Sequence, residues 1–279
     1  MLNKITTRAK TWAGAPFSRM QKRRSNLYDS NSPIPFNISR SKIDLFLECP
    51  QCFYLDRKLG ISRPDMPGWS LNSAVDKLLK NEFDGFRDQR KPHNLMALYN
   101  INAIPFWHQD LHIWRDDINK KIGASIFHKK TNLNICGIID DIWQNTKTPE
   151  LHIVDYKSTS ANGEVSLDGE YKEGYKRQMA IYQWIFKKMG FKISNIGYFV
   201  YANGIKSDGK TFDDKLEFKT SIIPYNADDS WVEPAILNLK KCLNSNEIPE
   251  SNPDCKYCGY RKLINDETLK TQISLIHPS

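Results

Sequence analysis

The sequence predicts an α/β chain in which a mixed central β-sheet is flanked by helices and the two ends are tied together by a four-cysteine metal centre. Two observations carry this reading. Residues 132–223 read as strand, strand, helix, strand, strand, an order that builds a mixed sheet with helices packed on it. Two Cys-x-x-Cys pairs, Cys49/Cys52 and Cys255/Cys258, stand near opposite ends of the chain, so a centre built from both would join those ends. At 279 residues with 40% hydrophobic side chains, the chain can bury a sizeable core.

Taken in order, residues 1–35 are expected to form a basic, flexible extension. Beyond Pro33 and Pro35 the apolar spacing predicts a helical segment from Ile43 to Leu59, interrupted at Pro50 because proline cannot continue the ladder. Leu71, Ala74, Val75, Leu78, Leu79 and Phe83 recur at helical spacing and predict a second helix. Residues 90–130 hold aromatics and histidines (His93, Trp107, His108, His112, Trp114, His128) without a period. Helices and loops are expected there, and the histidines are assigned no role.

Strands are expected at 132–143 and 150–157, separated by the turn residues Asn145-Thr146-Lys147-Thr148-Pro149. A helix follows over 172–189, its stripe of Ile181, Ile185, Phe186 and Met189 facing the sheet. Strands at 196–201 and 215–223 and a helix from Trp231 to Leu243 lead to the second cysteine pair, and residues 266–279 are read as a tail.

The net charge of +8 belongs to the N-terminus. Residues 1–24 contain Lys4, Arg8, Lys10, Arg19, Lys22, Arg23 and Arg24 and no acid, so seven of the eight net charges lie there. Such a tail can bind a phosphate backbone, serve as an organelle presequence, or remain solvated. The rest of the chain must meet nucleic acid, if it does, through a local patch. No apolar stretch approaches bilayer length, so no membrane role is expected. The expected compartment is the cytoplasm of a bacterium or phage host, or an organelle if the N-terminus is a presequence.

The chemistry concentrates in Gly137-Ile138-Ile139-Asp140 and Ile153-Val154-Asp155-Tyr156-Lys157. Each short apolar segment delivers a carboxylate, and Lys157 shares a strand face with Asp155 because side chains alternate with period two. Hard oxygen ligands of this kind suit Mg²⁺ or Mn²⁺, and the chemistry they suggest is phosphodiester hydrolysis. Acid-x-Lys recurs six times elsewhere, as at Asp213-Asp214-Lys215, but only Asp155 and Lys157 follow a strand preceded by a hairpin-spaced acid. Gln178 and Tyr182, four apart, project from one face of the following helix. At the cysteines a metal is favoured over disulfides, since no secretory signal is evident and Cys136 and Cys242 remain outside the pairs.

Gly-x-x-Asp at 137–140, Asp-Tyr-Lys at 155–157 and Gln-x-x-x-Tyr at 178–182 together resemble the RecB-like branch of the PD-(D/E)XK nuclease superfamily. Ser39-x-Ser41, the Cys49-Pro50 pair and the terminal Cys-x-x-Cys resemble the subgroup with an iron–sulfur staple, which includes the AddB nuclease domain and CRISPR-associated adaptation exonucleases. The resemblance spans roughly residues 38–262 and places a nuclease domain with a restriction-endonuclease-like core at 36–265. It implies that Asp140, Asp155 and the Tyr156 carbonyl hold the catalytic metal. Lys157 would orient or help deprotonate the attacking water, and Gln178 and Tyr182 would position the nucleic acid or the lysine. The family's histidine on the helix before the sheet is replaced here, with Asp76 offered as a ligand instead.

The staple also departs from the family. The family's pattern has one cysteine upstream and three downstream, whereas no cysteine follows Cys258, and Cys52 is taken as the fourth ligand in preference to Cys242. The resemblance implies a [4Fe–4S] cluster, with a slight preference; the two-plus-two spacing alone favours zinc. The expected function is a Mg²⁺- or Mn²⁺-dependent deoxyribonuclease, exonucleolytic, in DNA repair, recombination or mobile-element biology, with DNA and a helicase or recombination protein as partners. The alternatives are an inactive nucleic-acid-binding protein of the same fold and a zinc-stapled structural protein.

Overall fold

A computed structural model of the protein describes residues 22–64, 68, 70–116, 122–206, 209 and 211–276, with side chains to residue 271. Strand β1 (Phe36–Ser39) runs directly into α1 (Arg40–Glu48), and α2 (Pro50–Arg57) follows after a break at Cys49. The interruption read at Pro50 is therefore a boundary between two helices. Cys49 is extended and its N–H closes α1 on the Leu45 carbonyl, while Pro50 opens α2, where its missing N–H costs nothing.

Then come α3 (Ser70–Asp88), α4 (Asn94–Leu98), β2 (Ala103–Pro105), α5 (Leu111–Asp116), β3 (Ala124–His128) and β4 (Leu133–Gly137). The chain continues through β5 (Asp141–Asn145), β6 (Leu151–Thr159), a 3₁₀ turn at Glu170–Lys172, α6 (Glu173–Lys188), β7 (Ile196–Gly204), β8 (Phe218–Asn226), α7 (Val232–Asn244) and α8 (Lys256–Ile276).

The larger sheet has the order β2-β5-β6-β7-β8 and is mixed: β6 and β7 are parallel, joined across α6, and every other pair is antiparallel. A second sheet of order β1-β4-β3 stands beside it. Alternation along β6 divides the core. Leu151 and Ile153 join Ile181, Ile185 and Phe186 of α6 on one face, while Val154 and Tyr156 join Val75, Leu79 and Phe83 of α3 on the other. The expected mixed sheet flanked by helices is therefore present, with α3 and α6 on opposite faces of the strand that carries Asp155.

Several elements differ from expectation. The single strand expected over 132–143 is two strands in different sheets, with the chain bending through Ile138, Ile139 and Asp140. Strands β1, β2 and β3 were not expected. In α3 the buried stripe is Val75, Leu79 and Phe83, whereas Leu71 and Leu78 face solvent at 59% and 66% exposure. Part of the expected N-terminal extension is packed: Tyr28 is buried, its N–H donates to the Arg57 carbonyl at 2.8 Å, and its hydroxyl donates to Asn244 Oδ1 at 2.6 Å. Residues 1–21, which hold the first four of the seven basic residues, lie outside the described residues. Helix α8 runs unbroken through residue 265, past the point where a tail was expected to begin. No helix among the described residues is long and apolar enough to cross a membrane.

Candidate active site

The bend before β5, strand β6 and helices α1, α3 and α6 converge on a cleft of about 520 Å³ whose lining includes Arg40, Asp76, Asp140, Lys157, Gln178 and Tyr182. Asp141 pairs with Val154 across β5 and β6, so Asp140, one residue earlier, arrives beside the Asp155–Tyr156 peptide. The Tyr156 N–H donates to Asp140 Oδ2 at 2.8 Å and holds that carboxylate against β6. Its neighbour has the opposite fate. Asp141 is fully buried on the α3 side, paired with Arg87 and accepting the Tyr156 hydroxyl at 2.7 Å. Successive acids thus divide the work: Asp140 faces the cleft and Asp141 neutralises a buried arginine.

Asp155 is fully buried at the floor. Burial, aided by the nearby Asp140 charge, raises its pKa to about 6 against the pull of the Lys157 ammonium. Gln178 Nε2 donates to Asp155 Oδ1 at 2.6 Å. The other oxygen, Oδ2, is ion-paired with the Lys157 ammonium. Burial works against the charge on Lys157, but Asp155 and Asp140 outweigh it and hold its pKa above the ordinary value. Two carboxylates brought together beside the Tyr156 backbone are a donor set suited to a small hard divalent cation.

Asp76 stands in the same cleft, one turn from Lys80 on α3. The Lys80 ammonium lies 3.0 Å from Asp76 and 3.7 Å from Asp140, so the two acids share it. On α6, the Tyr182 hydroxyl donates to the Ile138 carbonyl at 2.6 Å and its ring lies against Gly137. A Cβ at residue 137 would meet Tyr182 Cε1 at 2.5 Å, so glycine is required there by the tyrosine four residues beyond Gln178. Arg40, the first residue of α1, hydrogen-bonds Tyr182. Burial disfavours the Arg40 charge, but Tyr182, Asp44 and Asp155 together raise its pKa.

All the acids, the lysine, Gln178 and Tyr182 singled out in the sequence are therefore brought to one cleft or its floor. Tyr156 contributes its backbone there, while its ring points to the α3 face. The histidines are elsewhere: His93 bonds Glu82, His128 bonds Glu233 and His152 bonds the Ile196 carbonyl. Sequence reasoning missed Lys80, Arg40 and Tyr175, which also lines the cleft and whose ring lies 4.7 Å from the Lys157 ammonium. For Lys80 a signal existed, since it follows Asp76 at the i, i+4 spacing of a helical ion pair.

The second cluster lies away from the cleft. Cys49 and Cys52 at the α1–α2 break meet Cys255 and Cys258 at the start of α8, all four buried, with ligand sulfurs within 4.8 Å of one another.

The family model for the PD-(D/E)XK nuclease superfamily matches residues 67–263, while no curated protein matches the chain. The matched interval covers well over half of the 279 residues and runs from α3 through α6 to the second cysteine pair, so it contains every acid of the cleft. The chain belongs to the PD-(D/E)XK nuclease superfamily.

Proposed function

We propose that this cleft hydrolyses phosphodiester bonds in DNA with one Mg²⁺ or Mn²⁺, and that the chain is an exonuclease of the RecB-like branch acting in repair, recombination or mobile-element biology. The observation that carries the reading is the convergence of Asp140, Asp155 and Lys157 on one point, with Gln178 bound to Asp155 Oδ1 and Lys157 paired with Oδ2. Asp140, Asp155 and the Tyr156 carbonyl would hold the metal, with Asp76 able to add a fourth oxygen once Lys80 moves aside. A divalent cation there supplies Lewis-acid charge next to the scissile phosphate.

The protein's own groups do the rest. Gln178 fixes the rotamer of Asp155 through its 2.6 Å hydrogen bond, so the carboxylate needs no reorganisation when substrate arrives. Lys157, held as an ammonium, donates to the attacking water or to a non-bridging phosphate oxygen and offsets the negative charge that grows there. Tyr182 and Arg40 brace the Ile138 carbonyl and the wall of the cleft. The pairing of Tyr182 with Gly137 and of Gln178 with Asp155 supports the RecB-like assignment, because it gives each motif residue a structural partner.

One observation favours a second reading. Lys80 already supplies a cation between Asp76 and Asp140, as expected of a fold retained for nucleic-acid binding without turnover. A single assay separates the two: the full chain with end-labelled single- and double-stranded DNA in Mg²⁺ or Mn²⁺. The nuclease reading expects metal-dependent cleavage that falls by about 10²–10³-fold in Lys157→Ala, with the far-ultraviolet circular dichroism unchanged. Cleavage undiminished in that variant overturns the assignment, and DNA binding without cleavage by the unaltered chain establishes the second reading.

A further inference from the structure

Each Cys-x-x-Cys pair straddles the start of a helix. Cys49 caps α2 and Cys52 lies in its first turn; Cys255 precedes α8 and Cys258 lies in its first turn. This local geometry turns both thiols of a pair toward the same side, and the two helix starts face each other. The result is four sulfurs in a tight group: Cys49 to Cys258 is 3.8 Å, Cys52 to Cys255 is 3.7 Å and Cys52 to Cys258 is 3.5 Å.

Those separations identify what fits between them. Four thiolates bound tetrahedrally to one ion at about 2.3 Å stand about 3.8 Å apart along each edge. Three edges here are close to that figure, and no pair exceeds 4.8 Å. A [4Fe–4S] cluster makes a different demand. Each thiolate then binds its own iron on the outside of the cube, so the four sulfurs must stand much farther apart than ligands of one shared ion. The cluster implied by the resemblance does not fit this group. A disulfide does not account for it either, since none of the four is disulfide-bonded and the three separations are well beyond an S–S bond.

Two arginines stand beside the sulfurs. The Arg63 guanidinium donates to Cys255 Sγ at 3.6 Å and Arg261 donates to Cys258 Sγ at 3.8 Å, while Cys258 Sγ also lies 3.4 Å from Gln51 Oε1. A divalent ion with four thiolates carries a net charge of −2, which these two arginines offset, and N–H···S bonds of this kind orient the ligands.

We propose that Cys49, Cys52, Cys255 and Cys258 hold a single Zn²⁺ in a closed, all-thiolate tetrahedral site in place of an iron–sulfur cluster. The staple is then redox-inert and needs no cluster-assembly machinery. It fastens the α1–α2 elbow to α8 by binding alone. The inference does not depend on the nuclease reading, because metal content is read without substrate.

The test is elemental analysis of the full chain purified both aerobically and anaerobically. One zinc per chain, no acid-labile sulfide and no visible absorption are expected. The zinc should remain in Asp155→Asn and be lost in the double variant Cys255→Ser/Cys258→Ser. Because that variant can fail to fold, the unaltered chain grown with cobalt provides a second readout, the intense visible bands of tetrahedral thiolate-bound Co²⁺. Iron and sulfide in equal amounts with broad visible absorption would overturn the proposal. So would a folded chain that retains neither zinc nor cobalt, or zinc that leaves with Asp155→Asn but stays in the cysteine variant.

Discussion

Replacing Gly137 by alanine tests the link between the cleft's wall and the acids that face the cleft. The added Cβ lies 2.5 Å from Tyr182 Cε1 and 3.3 Å from Cδ1, whereas carbon atoms in contact sit about 3.5–4.0 Å apart. The ring must therefore retreat by about 1 Å. It has little room to do so, because its hydroxyl is tied to the Ile138 carbonyl at 2.6 Å and Ile181, Ile185 and Phe186 on the same helix are fully buried. Overpacking of this kind costs about 1–3 kcal/mol. At about 2–4 °C per kcal/mol for a chain of this size, the melting temperature falls by about 2–12 °C.

Activity should suffer more than stability, since Ile138 is two residues from Asp140 and a 1 Å misplacement can cost about 10²-fold in rate. Differential scanning calorimetry and metal-dependent cleavage well below the transition give the two readouts. Gly137→Ala/Tyr182→Ala should be no less stable than Tyr182→Ala alone, because the clash is gone, yet it should stay impaired in cleavage. A Gly137→Ala protein with unchanged melting and rate, or strict additivity in the double variant, refutes the reasoning.

The paired acids should separate cleanly. Asp141→Asn leaves Arg87 with only the partly exposed Asp84 as counter-charge and should cost about 1–3 kcal/mol in denaturant unfolding, whereas Asp140→Asn should keep stability and lose Mn²⁺ binding by calorimetry. Lys80→Met removes a cation from between Asp76 and Asp140. Discounted for the partial exposure of both acids, the change is about 1 kcal/mol, so Mn²⁺ should bind roughly fivefold more tightly; weaker binding would contradict the placement of Lys80 as a competitor.

The Glu233–His128 contact predicts a pH effect on stability. The His128 hydrogen bond, with Lys130 and Lys188, holds Glu233 down from its ordinary 4.5 to about 2. A depressed carboxyl stabilises the fold above its unfolded value, and that stability is lost as pH falls through the folded one. The stability gap between the unaltered chain and Glu233→Gln should be constant above pH 4.5 and close between 4.5 and 2 in urea titrations; a gap that persists at pH 2 would contradict the assignment. Asp155, raised to about 6 by burial, should make Mg²⁺-dependent cleavage decline below that pH. The midpoint should move lower as Mg²⁺ is increased, because metal and proton compete for the same carboxylate.

The β5–β6 hairpin was legible because its signals are local. Apolar runs flank Asn145, whose side chain accepts from the N–H groups of Lys147 and Thr148 and makes the turn. The α6 stripe was legible because three of its four expected positions, Ile181, Ile185 and Phe186, are fully buried. The β4–β5 bend was not, since Ile138 and Ile139 continue the apolar pattern across it and only Tyr182, forty-odd residues on, reveals why Gly137 is there. Strands of three to five residues such as β2 and β3 are too short to show a period. In α3 the cleft displaces the stripe: Asp76 and Lys80 hold the face toward Asp140, which turns Leu71 and Leu78 outward. Helix α8 mixes apolar and charged residues all round, so its sequence past Cys258 resembles a tail.

The charge balance of the cleft explains how the departure at Asp76 is tolerated. A histidine at that position would bring a neutral ligand. An aspartate brings a further carboxylate, which shares the Lys80 ammonium with Asp140. The fold answers with three cations drawn from different helices and strands: Lys80 between Asp76 and Asp140, Lys157 on Asp155, and Arg40 at the wall. Three acids and three bases leave the metal-free cleft near neutrality, so an incoming divalent cation must displace one of them. Lys80 is the one that would move, because Lys157 is paired with an acid only 1% exposed, whereas Lys80, itself 11% exposed, bridges two acids that are 34% and 21% exposed. In the proposed nuclease, Lys80 released from Asp140 would stay on the rim of the cleft. The cation that competes with the metal would then be placed to attract a phosphate.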